Sequence, residues 1–297
     1  MAQILYSQPV CDHIYDMIKR DVTGSASLTI YQVEGNSASD IYVRNKVRAC
    51  DKIGLKSEVI KLDNDDSAKY TFLPKYLTEH TSGAAMLQLP LPDGWDEAYF
   101  TNLINPAVDA DCLTHQNLGA FYASKNPHLS PCTAQGIIDI LDFYNIEISG
   151  KRALVIGRSN IVGKPIAHLL TCRNATVTIA HTKTKKDDLL RFFATSDLII
   201  VATGQPDTIT EDDAYQYSKD YRHDFYNSFS TLKNRVIIDV GINRDKDGKL
   251  CGDLSEDFKA KYSSAYSPVP GGVGPLTVAN LIKNAIQLNK NKEIYHG

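Results

Sequence analysis

Arg152-Ala153-Leu154-Val155-Ile156-Gly157-Arg158-Ser159-Asn160-Ile161-Val162-Gly163-Lys164-Pro165 is the stretch on which the fold turns. Residues 153–156 form an unbroken apolar run, the pattern of a parallel strand covered on both faces. A tight turn follows at Gly157, and a helical pattern starts after Gly163. Strand, turn and helix in that order aim backbone N–H groups and the positive helix end at one place, where a pyrophosphate can sit. The spacing is G-x5-G rather than G-x-G-x-x-G, and a glycine turn alone also serves close strand–helix packing.

Working outward, helices at 164–172 and 185–194 alternate with strands at 152–156, 175–180, 197–202 and 235–241. An earlier rhythm places strands at 27–33, 57–62 and 84–89 and helices at 10–22, 39–52 and 95–104. A connecting helix over 133–144 and a last helix over 275–288, opened by Pro275, complete the reading. The expectation is an α/β protein of two domains divided near 140 and 274. Residues 207–233, polar and tyrosine-rich between two core strands, read as a surface excursion.

Composition agrees with two domains: 297 residues, 43% hydrophobic and 23% charged, are ample for two cores. A net charge of -3 offers no basic face for nucleic acid or an anionic membrane, which leaves a small-molecule partner. Cys11, Cys50, Cys112, Cys132, Cys172 and Cys251 are scattered, with no zinc-type spacing. Neither metal nor disulfide framework is indicated, and a reducing cytoplasm is expected. Asp12, Asp16 and Asp21 interrupt the start, and no run approaches the ~20 apolar residues of a membrane span. The expected protein is mature and soluble from its first residue.

The place where a ribose-binding carboxylate commonly follows the second strand reads His181-Thr182-Lys183-Thr184. Arg158, Thr182 and Lys183 suit a 2′-phosphate instead, so NADP is expected over NAD, although the same cations also read as solvated surface charges. In the first half, Tyr42 and Lys46 share one helical face. A lysine acting as a base near neutrality needs its pKa lowered, and the spacing alone equally describes an amphipathic helix. Gln88, in Gln88-Leu89-Pro90-Leu91-Pro92, ends a buried strand where open sheets bind ligands. Pro268-Val269-Pro270-Gly271-Gly272-Val273-Gly274-Pro275-Leu276-Thr277 combines fixed and freed dihedrals, a loop shaped for close approach to a ligand.

Taken with Tyr42-Val43-Arg44-Asn45-Lys46, Pro131-Cys132-Thr133 and Asp239-Val240-Gly241-Ile242-Asn243, these motifs keep one order over nearly the whole chain. The chain resembles the bifunctional methylenetetrahydrofolate dehydrogenase/methenyltetrahydrofolate cyclohydrolase family. The resemblance implies an N-terminal α/β catalytic domain (1–140 with 275–297, the C-terminal helix returning to it) and a Rossmann-type NAD(P) domain (141–274). It implies a homodimer with folate in a cleft. Lys46 becomes the catalytic amine, Tyr42 stacks on the folate rings, Gln88 tunes Lys46 and Asp111 anchors the pterin. Leu87, Leu89, Pro270, Gly271, Gly272, Val273 and Gly274 line the folate pocket. Gly157, Arg158, Ser159, Ile161, Gly163, Thr182, Ile242 and Thr277 contact the dinucleotide.

Departures from the family pattern are Cys112 in place of the glycine after Asp111, Ala134 in place of proline, and Glu34-Gly35-Asn36-Ser37. A cysteine is strained if that backbone requires a positive φ. A dehydrogenase lacking cyclohydrolase activity is the alternative that this change raises.

Overall fold

Residues 2–124, 127–220 and 235–296 are described by the structure, a computed structural model. The first half runs β1 (Gln3–Ile4), α1 (Ser7–Ile18), β2 (Ser27–Val33), α2 (Ser37–Ile53), β3 (Lys56–Leu62), α3 (Leu73–Glu79), β4 (Ala84–Leu87), α4 (Glu97–Leu103) and α5 (His115–Ala123). Next come α6 (Cys132–Phe143), β5 (Arg152–Ile156), α7 (Gly163–Cys172), β6 (Thr176–Ala180), α8 (Lys186–Thr195) and β7 (Leu198–Val201). The remainder is α9 (Glu211–Asp220), β8 (Val236–Asp239), β9 (Asn243–Arg244), β10 (Leu250–Cys251), α10 (Glu256–Tyr262), β11 (Ala265–Tyr266) and α11 (Val273–His296). Of the expected excursion over 207–233, the part from 211 to 220 is helical, and 221–233 lie outside the described residues.

The chain divides into two compact units, one of Asp12–Cys132 with Val278–Gly297, the other of Met1–Cys11 with Thr133–Thr277. In the first unit three parallel strands are ordered β3-β2-β4. A parallel bridge between Ala85 and Asp109 lays residues 108–110 beside β4. Every residue of β4 is buried, as a small-residue strand in the sheet's middle layer should be. One core face joins Tyr31, Leu73, Leu77, Leu87, Phe100 and Val108. The chain moves from β2 to β3 on one side and then to β4 on the other, so the strand order reverses between β2 and β4. Open sheets bind ligands beyond the strand ends at such a reversal, and here Gln88 N–H donates to Tyr31 O at 2.8 Å.

The C-terminal helix returns to this unit as expected. Asn289 Nδ2 donates to Ser27 O at 3.1 Å and its Oδ1 accepts from Ser27 N at 3.3 Å, which pins α11 to the start of β2.

The second unit holds a six-stranded parallel sheet in the order β1-β11-β8-β7-β5-β6. Counted from β5, its strands run 2-1-3-4-5, a doubly wound order whose reversal falls between β5 and β7. Leu154, Ile156, Leu190, Phe193, Ile199, Val201, Ile237 and Phe258 fill one core cluster. Each such side chain stabilises by about 1.5–3 kcal/mol when fully buried. Arg235, fully buried before β8, donates to Ala194 O and Ser196 O at the carboxyl end of α8, where orphan carbonyls accept a cation well.

The units part at 132/133 and 277/278, whereas the sequence suggests 140 and 274. Nearly all of α6 stays with the second sheet. Residues 1–11 also belong there rather than with the first domain, because β1 pairs with β11 through Gln3–Ala265 and Ile4–Tyr266. A two-residue strand carries no periodic signal, so only its distant partner reveals it.

Candidate active site

Lys46 lies on α2 with 8% of its surface exposed, one helical turn after the half-buried Tyr42. Its Nζ donates to Gln88 Oε1 at 2.7 Å. Gln88 Nε2 in turn donates to Leu89 O at 2.5 Å, which orients the amide so that its oxygen faces the amine. Leu87 and Leu89 flank this glutamine, Leu87 closing β4 within the core. Burial pushes the Lys46 pKa below the usual lysine range, opposed by the negative charge available at Asp111 and Cys132. Glutamine serves this arrangement because it accepts a hydrogen bond without adding a charge that would hold the proton on Lys46.

Asp111 is half-buried just beyond the strand-like residues 108–110. Burial raises its pKa, while Lys46 and a hydrogen bond from the Cys132 thiol pull it down. Desolvation thus drives both Lys46 and Asp111 toward neutrality, and their mutual attraction opposes it. Cys112 does adopt φ 58°, the left-handed region suspected from the sequence. Such a residue costs about 1–2 kcal/mol, and Asp109 supplies the restraint that holds it. The fully buried Asp109 accepts through Oδ2 from Leu113 N at 3.0 Å, Thr114 N at 2.9 Å and Asn117 Nδ2 at 3.0 Å.

Two positions here, and one contact, are not singled out by the sequence. Ser39, two turns before Lys46, buries a hydroxyl that has no hydrogen-bond partner among the described residues. Its spacing of seven from Lys46 is the signal that could have found it. Asn284 on α11 donates to Ala110 O at 2.9 Å and Ser130 O at 3.0 Å, fixing the segments before Asp111 and Cys132. Cys132 itself touches Asp111. Nothing local in the sequence foretells contacts across such separations.

In the second unit, Gly157 has φ 131°, and a Cβ there would stand 2.2 Å from Ala202 O. This is the reversal between β5 and β7, and only glycine lets the two strand ends approach so closely. A Cβ on Gly163 would meet Gly157 O at 2.4 Å, so the helix start is pressed onto the turn. Ser159 Oγ accepts from Val162 N at 3.1 Å and Gly163 N at 3.3 Å. Arg158, Ile161, Thr182 and Lys183 are exposed beside these strand ends. The turn after β6 is closed by Thr184 Oγ1 accepting from His181 N at 2.9 Å, and it contains no carboxylate.

The loop leading into α11 belongs to this same unit. Pro270 is exposed, Gly271 has φ 97°, and Gly272 and Val273 are buried. A Cβ on Gly274 would touch the Ile242 side chain at 3.7 Å, so the two loops are neighbours. Thr277 Oγ1 lies 3.1 Å from Thr133 Oγ1. Residues 42, 46, 87–89 and 111 therefore gather in the first unit, and 157–163, 182, 242 and 270–277 in the second. Among the described residues no group of three or more His, Cys, Asp or Glu could hold a metal ion, and no helix is long and apolar enough to cross a membrane.

Residues 5–111 match the family model described as the tetrahydrofolate dehydrogenase/cyclohydrolase catalytic domain, and 131–217 with 225–293 match its NAD(P)-binding domain. The bifunctional protein FolD of Agathobacter rectalis is 38% identical over 98% of this chain and 100% of its own length. That of Enterococcus faecalis is 36% identical over 99% and 100%. The crystal structure of the bifunctional FolD enzyme from Campylobacter jejuni superposes with a TM-score of 0.83 at 32% identity, covering 98% of this chain and 100% of that one. The Trypanosoma brucei enzyme, solved with NADP cofactor and an inhibitor, gives 0.85 at 29% identity and covers 98% of each chain.

Proposed function

Since the chain belongs to the tetrahydrofolate dehydrogenase/cyclohydrolase family, we propose that it carries out a two-step conversion, with folate assigned to residues of the first unit and to 270–274, and the dinucleotide to residues of the second. It oxidises 5,10-methylenetetrahydrofolate to 5,10-methenyltetrahydrofolate with NADP and hydrolyses that product to 10-formyltetrahydrofolate. The observation that carries the second step is the buried amine of Lys46 on the Gln88 amide.

NADP, when bound, accepts the two electrons removed from the methylene carbon. For their part, Gly157 and Gly163 leave room for a pyrophosphate at the start of α7, and Ser159 holds that turn in shape. Arg158, Thr182 and Lys183 receive the 2′-phosphate. In the folate site Tyr42 stacks on the ring system and Asp111 accepts from the pterin's amino-pyrimidinone edge, while 270–274 line the pocket. Lys46 takes a proton from water as its oxygen bonds to the methenyl carbon. The ammonium returns that proton to N5 as the carbon–N5 bond breaks, and the remaining hydroxyl proton leaves to solvent, giving the N10-formyl group. The methenyl cation itself disfavours a protonated Lys46. Cys112 does not support loss of this step, since Asp109 holds the backbone it needs.

The spectroscopic test supplies the purified protein with methylenetetrahydrofolate and NADP, then with methenyltetrahydrofolate alone; absence of catalysed hydrolysis would leave only the dehydrogenase alternative. Hydrolysis should rise with pH through the lowered Lys46 pKa and then level, once the uncatalysed rate is subtracted. Gln88→Glu, which sets a carboxylate against the amine, should move that rise alkaline by about one unit or more. An unmoved profile would separate Lys46 from the titration.

The dinucleotide preference follows from the turn without a carboxylate. NADP should be used with at least tenfold higher kcat/KM than NAD, and Arg158→Ala should erase most of the difference by raising the NADP KM, about 1–3 kcal/mol of charge-assisted bonding. Equal kcat/KM for both in the unaltered enzyme would defeat the assignment. We also place the protein in the cytoplasm as a homodimer that contacts neither membrane nor nucleic acid. The edge position of β6 and its exposed Ile179 support pairing with a second copy, and all six cysteines are free. A monomeric mass by sedimentation would remove the dimer.

A further inference from the structure

Lys259 on α10 is completely buried, and so is Asp239 at the end of β8. Its Nζ lies 3.3 Å from Asp239 Oδ2, 2.6 Å from Glu256 Oε1 and 3.2 Å from Ser267 O. A buried ammonium is tolerated only when paired and hydrogen-bonded, and these three oxygens meet that need. The acceptors come from the end of β8, the first turn of α10 and the residue after β11.

Asp239 Oδ1 accepts from Gly241 N and Asp253 N, both at 3.0 Å, and Oδ2 accepts from Leu254 N at 3.0 Å. This sets the turn that presents Ile242. The seat is tight, for a Cβ on Gly252 would stand 2.0 Å from Asp239 Oδ2. Glu256 Oε1, the oxygen nearest Lys259, also accepts from Val269 N at 3.1 Å. Val269 opens the segment 270–274. Ser267 Oγ accepts from Asp239 N at 2.8 Å and donates to Asp239 O at 3.2 Å, closing the connection between the strand ends.

We propose that Lys259 is a positioning residue that couples the loop at Ile242 to the loop at Pro270, so that dinucleotide and folate change one another's affinity. The proposal rests on reading these loops as dinucleotide and folate contacts. A shift of the Ile242 turn moves the Asp239 carboxylate, the ammonium follows its counter-charge, and Glu256 carries the movement to Val269. By linkage the effect is equal in both directions.

The test titrates NADP calorimetrically into the full-length protein, alone and with saturating tetrahydrofolate, which lacks the one-carbon bridge and cannot turn over. In the unaltered protein the two dissociation constants should differ about fivefold or more. Glu256→Ala, at a half-exposed side chain, cuts the link to Val269 and spares the Lys259–Asp239 pair. Its ratio should fall to about one, whereas Glu256→Gln, which keeps an acceptor oxygen, should retain most of the coupling. Lys259→Met should also abolish it, with thermal melting confirming that the variant is folded. A residue that merely stabilised the unit would alter both constants alike and leave their ratio unchanged. A ratio of one in the unaltered protein, or a full ratio in Glu256→Ala, overturns the coupling. Failure of the unaltered protein to bind NADP at all would instead refute the dehydrogenase reading on which it rests.

Discussion

Lys46→Met is expected to lower catalysed hydrolysis of methenyltetrahydrofolate by about 10²–10⁴-fold, the range that a positioned base contributes. Methionine matches the length of the stem and suits the buried site, so the fold should survive. What disappears is the only nitrogen facing Gln88 Oε1 among the hydrogen bonds of that group. Lys46→Arg should fail almost as badly for the opposite reason, because a guanidinium keeps its charge and has no basic lone pair at working pH. NADP binding should persist in both variants, since its assigned contacts lie in the other unit. Unchanged turnover in Lys46→Met would remove the lysine from the mechanism.

Gly157→Val should have the converse pattern. A side chain at φ 131° is strained, and its Cβ would overlap Ala202 O at 2.2 Å. Left-handed strain and overpacking together cost about 3 kcal/mol, which corresponds to roughly a hundredfold loss of the turn that receives the pyrophosphate. Dehydrogenase kcat/KM for NADP should fall by at least that factor. Hydrolysis of the methenyl compound, which consumes no dinucleotide, should fall far less. Equal loss of both activities would mean that the turn supports the whole protein rather than one ligand.

The contrast between the two glycine-rich segments and the polar cluster explains what the sequence made legible. Gly157 and the strand before it announce themselves because a covered strand, a turn and a helix each leave a local signature. Helix face and strand end place Lys46 and Gln88 separately, while their pairing is implied only by the family resemblance. Asn284, Lys259 and Asp109 escaped because their roles consist entirely of partners elsewhere in the chain. The same holds for β1 and β11, whose two-residue length gives alternation nothing to act on. Helix α5 is illegible for another reason: its residues His115–Ala123 lack a clear apolar stripe and carry Gly119 at the centre. Its Thr114 cap, which accepts from Asn117 N at 3.3 Å, was the available clue.

The division of the chain also constrains how it is made. β1 at the amino end waits for Ala265–Tyr266, and the unit holding Lys46 waits for Val278–Gly297. A nascent polypeptide halted at residue 260 would own neither finished half, so synthesis cannot deposit one stable domain before starting the next. Both must close late, through contacts of long sequence separation. Removing the last helix from a gene fragment would therefore leave the amino-terminal piece without its own wall.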